Sequence, residues 1–173
     1  MHLVVENGSG LVDANSYVST DDVGRGLPSA DRLTWQALSA DEQIDKCIIA
    51  SRFIDSSFPW VGTQKTIEQS MSWPRVNVFF QGHRIADAKV PAQVKRATIM
   101  AAGILLRNGM EIFLTSGESK EIKRERFAVM ETEYFEPHTN KGDATNYPEI
   151  NNLLRGFYSK LKGNMLIGEV VRV

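Results

Sequence analysis

Apolar positions recur at helical period in three stretches of the chain, and the segments between them alternate or turn. The clearest stretch begins at "SADE", where Ser39 and Glu42 stand at capping-box spacing. Ile44, Cys47, Ile48, Ser51, Ile54 and Phe58 then follow one face, and Pro59 ends the pattern. The spacing predicts a helix over about 40–57. A second helix is predicted for "PAQVKRATIMAAGILLRNG", with Pro91 at a favoured first position and Gly109 as its stop. Val94, Ala97, Ala101 and Leu105 share a face, while Ile99, Met100, Ile104 and Leu106 make the second half apolar nearly all round. Such a helix belongs at the centre of a core or in a subunit interface. The third is "NYPEINNLLRGFYSKLKG", capped at Asn146 or Tyr147, with Pro148 in its first turn. Ile150, Leu153, Leu154, Phe157 and Leu161 form its stripe, Lys160 and Lys162 suit its C-terminal dipole, and Gly163 ends it.

The remaining segments read as weaker elements. Residues 3–5 suggest a short strand and "ENGSG" a turn. Ser19 or Thr20 caps a short helix that Gly24, Gly26 and Pro28 interrupt, and 28–38 reads as loop. "RVNVFFQGHRI" reads as a hairpin over about 75–86, turning at Gln81–Gly82. An extended arm is expected over about 118–136, then loop to 146, and "MLIGEVVRV" as a last short strand. The fold expected is mainly α: a small helical bundle of three main helices plus a short N-terminal one, with a β-hairpin, an extended arm and short terminal strands.

Length and composition narrow the classes. At 173 residues and 42% hydrophobic, the chain suits a single domain, 1–173, with a real core. Its formal net charge of −1 gives no overall cationic field. A single cysteine, Cys47, rules out an internal disulfide and suggests a reducing compartment. The N-terminus lacks signal-peptide features, and the apolar run 97–106 is too short to span a bilayer. A soluble cytoplasmic protein without membrane contact is expected.

Catalytic signals are absent. "ENGSG" has no Gly-Lys-Ser/Thr after it and is not a phosphate loop. His2, His83 and His138 are scattered, away from ligand spacing with one another or with Cys47, so no metal site is expected. Cys47 lies on an apolar helix face, as a core residue would. Glu131 and Glu133 read as solvent-facing charge. No enzyme activity and no cofactor are expected.

Two readings compete for "MSWPRVNV" at 71–78 and its surroundings. Trp60, Trp73, Phe79 and Phe80 interleave with Arg75 and Arg84, as in a stacking platform for single strands. Alternatively Trp60, Trp73, Pro74 and Arg75 form a structural corner, in which the tryptophans pack helices and the proline turns the chain. Residue types favour the corner, because tryptophan is costly to leave in water. The run "KEIKRER" holds four basic and two acidic residues and reads as a solvated face.

Several of these pieces together resemble a family of tailed-phage proteins. They are "VVENGSG", "NSYVS", Trp60 with Gly62, "SWPRV" at 72–76, "VPAQVKRA" at 90–97 and "ETEY" at 131–134, in an order that covers nearly the whole chain. The combination is fairly specific, although "DDVGRGLP" departs from the alanine- and tyrosine-rich first helix of relatives. Members are often labelled DnaT-like single-stranded DNA-binding proteins; others look like head–tail connectors beneath a portal. The slight net acidity and the apolar helix 97–106 favour the connector. That resemblance implies a structural virion protein: a ring, dodecameric like its portal, in the head–tail neck after assembly in the host cytoplasm. Its partners would be itself, the portal, a tail or stopper protein, and non-specific duplex DNA in the lumen. Lys120, Lys123, Arg124, Arg126, Phe127, Val129 and Tyr134 would form the docking arm. The alternative is a single-stranded DNA-binding protein acting in phage replication.

Overall fold

Helix boundaries in the computed structural model follow local capping chemistry, and the structure describes residues 2–108 and 147–159. Helix α1 spans Thr20–Gly26. The Ser19 hydroxyl accepts the Asp22 N–H at 3.1 Å, and the Asp22 carboxylate accepts the Ser19 N–H at 3.1 Å. Helix α3 spans Ala40–Ser57 and is opened the same way by Ser39 and Glu42, with the expected bounds. Each cap contributes about 1 kcal/mol. Helix α4 spans Ala92–Asn108.

A helix α2, Ser29–Ala37, occupies the segment that reads as loop in the sequence. Trp35 is its one buried residue, so it has no apolar stripe to betray it. Tertiary contacts hold it: Trp35 enters the core, and the Arg32 guanidinium donates to the Leu27 carbonyl at 3.2 Å. The last described helix, α5, is Pro148–Leu154, much shorter than its sequence pattern suggests. Gly156, at φ 101°, breaks it. Phe157 then turns into the core from outside the helix, and Tyr158 pairs with Trp60 in an antiparallel bridge.

Among the described residues the β component is two small antiparallel sheets. In one, β1 (Thr63–Gln64) pairs with β2 (Arg75–Val76). In the other, β3 (Phe79–Phe80) pairs with β4 (His83–Arg84) through Gln81–Gly82. Gln81 and Gly82 have φ of 50° and 81°, the positive pair a type I′ turn demands. The hairpin is therefore tighter than 75–86: Asn77, at φ 59°, separates it from the Arg75–Val76 strand, whose partner lies elsewhere. At the N-terminus only a parallel bridge, Val5 to Ser16, forms where a strand was expected.

The architecture is thus mainly α with a small β part, as the periodicity implies. Helix α4 is central, packing on α1, α2, α3 and α5. Val94, Ala97, Ala101, Ala102 and Leu105 are buried there, and Ile99, Met100, Ile104 and Leu106 are partly buried against the same core. Among the described residues no helix is long and apolar enough to cross a membrane. The expected arm over 118–136, with Lys120, Lys123, Arg124, Arg126, Phe127, Val129 and Tyr134, lies outside the described residues. So do His138, the tail "MLIGEVVRV" and the Gly163 stop.

Candidate functional site

The "SWPR" segment is tied to the body of the protein by a half-buried carboxylate. Asp55, near the end of α3, accepts the Ser72 N–H at 2.9 Å and the Ser72 hydroxyl at 3.2 Å. It also accepts the Tyr17 hydroxyl, whose oxygen in turn accepts the Trp73 N–H at 3.1 Å. Burial pushes the Asp55 carboxyl above its ordinary range, against the hydrogen bonds from Tyr17 and Ser72 that favour the anion. Burial, with the nearby Asp55 charge, also raises the Tyr17 phenol.

Trp73 is fully buried between Trp60 and Phe157, edge-on to both, at ring-centroid distances of 5.7 and 5.9 Å. The Trp60 indole N–H donates to the Asp55 carbonyl at 3.1 Å. The peptide between Trp73 and Pro74 is cis. Arg75 serves as a clamp: Nε donates to the Val61 carbonyl at 2.7 Å, Nη2 to Gly62 at 2.7 Å, and Nη1 to Ser72 at 3.1 Å. A guanidinium whose three nitrogens all bond main-chain carbonyls has little left for a phosphate. Trp60, Trp73, Pro74 and Arg75 therefore sit together in one packed corner.

The N-terminal "ENGSG" forms a closed loop around its own acid. Glu6 is fully buried, and its carboxylate accepts N–H groups from Gly8 at 2.7 Å, Gly10 at 3.0 Å and Leu11 at 2.8 Å. An internal carboxylate satisfied by backbone donors is a loop staple, not a general base. Cys47 is buried, and desolvation, helped by Asp22, pushes its thiol up to about 12. A thiol held neutral at physiological pH is a poor nucleophile. Among the described residues, no group of three or more His, Cys, Asp or Glu is placed to hold a metal ion.

Among the described residues, the hairpin and its flank lie on the surface. The structure divides the interleaved aromatic and arginine set in two. Phe80 faces inward and stacks on Phe157, with centroids 4.4 Å apart and planes 13° apart. Phe79 points the other way and is 60% exposed. Arg84 is its cross-strand partner, exposed and paired with Asp87 at 2.9 Å. Lys89 and Arg96 are also exposed, and Arg155 lies in the turn before Gly156, which abuts the Phe80 ring. Lys89 belongs to no motif in the sequence, and Arg96 enters only within "VPAQVKRA". The signal that finds them is the local charge count: between 75 and 108 the basic residues are Arg75, Arg84, Lys89, Lys95, Arg96 and Arg107, and the one acid is Asp87.

The chain has no significant match among curated proteins or among solved structures. A family model does match, over residues 1–173, and its description is of DNA binding, not of a head–tail connector. This corrects the expectation of a head–tail adaptor forming a portal-binding virion ring. The bulk charge of −1 had weighed against a DNA binder, but a bulk value averages over an uneven chain. Because the match spans the full length, the chain belongs to the family described as "Putative DnaT-like ssDNA binding protein".

Proposed function

We propose that the protein binds single-stranded DNA, chiefly through its phosphates, and performs no chemistry on it. Membership of the DnaT-like family over the full length carries this reading. The charge distribution supports it. Residues 13–45 hold Asp13, Asp21, Asp22, Asp31, Asp41, Glu42 and Asp45 against Arg25 and Arg32, whereas 75–108 is strongly basic. Fields between exposed charges are screened over about 8 Å at physiological salt, so a strand at the hairpin responds to its neighbourhood rather than to the net charge. Arg75 is engaged internally and Arg107 pairs with Asp31. Lys95 is half-buried, which leaves Arg84, Lys89 and Arg96 as the exposed cations of 75–108 offered to a strand.

Binding of this kind is tolerant of sequence, because phosphate contacts fix position without reading bases. The direct test is fluorescence anisotropy on a labelled oligothymidine of about 20 nucleotides, longer than a single small binding site, with duplex of equal length as competitor. The reading expects a dissociation constant of roughly 10⁻⁶ M or tighter at about 0.1 M salt, with single strand preferred over duplex. Failure to bind at about 0.05 M salt, or preference for duplex, overturns it.

A further inference from the structure

We infer that Phe79 is a base-stacking platform, with Arg84 beside it to meet the adjoining phosphate. This rests on the single-strand reading and goes beyond it by naming where a base lies. Phe79 and Arg84 are facing residues of β3 and β4, so their side chains rise from the same face of the ribbon, roughly 5 Å apart at Cβ. The opposite face is fixed to the core. Phe80 stacks on Phe157, Val78 is fully buried, and the Ile85 N–H donates to the Val78 carbonyl at 2.9 Å. A platform held this rigidly loses little conformational freedom when a base lands on it.

Among the described residues, the other large exposed apolar side chains do not fit a strand. Val12, Leu33 and Ile67 are aliphatic and present no π-face. Each also has an acid close in sequence: Asp13, Asp31 and Glu68. Phe79 alone among these four is aromatic, and its neighbourhood is cationic. The Arg84–Asp87 pair is exposed on both sides, and such pairs are weak, so Arg84 can exchange Asp87 for a phosphate at little cost.

The experiment measures oligothymidine affinity over a salt series for wild type, Phe79→Ala and Phe79→Tyr, with a thermal melt and sedimentation of each. Stacking is worth about 5- to 150-fold in affinity per base, so Phe79→Ala should weaken binding by that factor. Its salt slope should match wild type, because no phosphate contact is lost. Phe79→Tyr should bind like wild type, and all three should melt alike. Wild-type affinity in Phe79→Ala overturns the inference while leaving the single-strand reading intact. A changed salt slope also overturns it, as does self-association that Phe79→Ala abolishes, which would make a second copy the occupant of this face. If wild type itself fails to bind, the single-strand reading falls and takes this inference with it.

Discussion

The backbone N–H of Trp73 donates to the phenolic oxygen of Tyr17 over 3.1 Å, and that phenol donates onward to Asp55. One hydroxyl thus joins the N-terminal loop, the end of α3 and the corner. Tyr17→Phe leaves the Trp73 N–H without its acceptor and takes a donor from Asp55. The expected loss is about 1–3 kcal/mol, read as a lower urea midpoint with an unchanged m-value.

Trp73→Ala should cost more, about 3–5 kcal/mol, because it empties a fully enclosed aromatic site between Trp60 and Phe157. Its effect on DNA affinity should follow the loss of folded protein. When binding is measured well below its melting temperature, the affinity should match wild type. A folded Trp73→Ala protein with specifically weakened binding would place Trp73 in the interface.

Asp55→Asn separates charge from hydrogen bonding. The amide oxygen can accept from Tyr17 and the Ser72 N–H, while its NH₂ donates to the Ser72 hydroxyl, so the geometry survives. Asp55 is an acid whose folded pKa lies above the ordinary 3.8, so the folded state holds its proton more tightly than the unfolded chain. Its contribution to stability is therefore fullest below 3.8 and is lost as pH rises through the folded value. The stability of wild type relative to Asp55→Asn should fall over that interval and then level off. A flat difference in pH-dependent melts, or one that rises, would contradict the raised pKa.

Gly8→Ala tests the N-terminal loop. Gly8 sits at φ 102°, and an added Cβ would come within 2.2 Å of the Ala88 carbonyl oxygen. Backbone cannot step aside as a side chain can, so the loop must lift from the segment that leads into α4. Destabilisation of about 1–3 kcal/mol is expected by chemical denaturation.

The parts of the fold legible in the sequence are those in which local chemistry and tertiary packing agree. Ser39 with Glu42 and the stripe through Ile54 mark α3, and the Gln81–Gly82 pair marks the hairpin turn. Helix α2 escapes because its burial rests on Trp35 alone, so no period exists to detect. The short α5 escapes for the opposite reason: Phe157 keeps the apolar period going although Gly156 has already ended the helix. In the candidate site, residue types could not say which of Phe79 and Phe80 faces outward; the register and the Phe157 stack decide that. Arg75 resembles a phosphate ligand in sequence, and only the positions of the Val61, Gly62 and Ser72 carbonyls show it to be a clamp.

The proposed function places a single strand along the basic hairpin and the start of α4. The most direct measurement is the slope of log K against log salt for oligothymidine binding by wild type and by Arg84→Ala/Lys89→Ala/Arg96→Ala. These side chains are exposed, so the triple variant should fold normally. Each phosphate contact to a single strand contributes about 0.7 to the slope, so losing all three should flatten it by about 2 and weaken binding at low salt. A triple variant that binds with wild-type affinity and wild-type slope would contradict the account and move the strand to another surface.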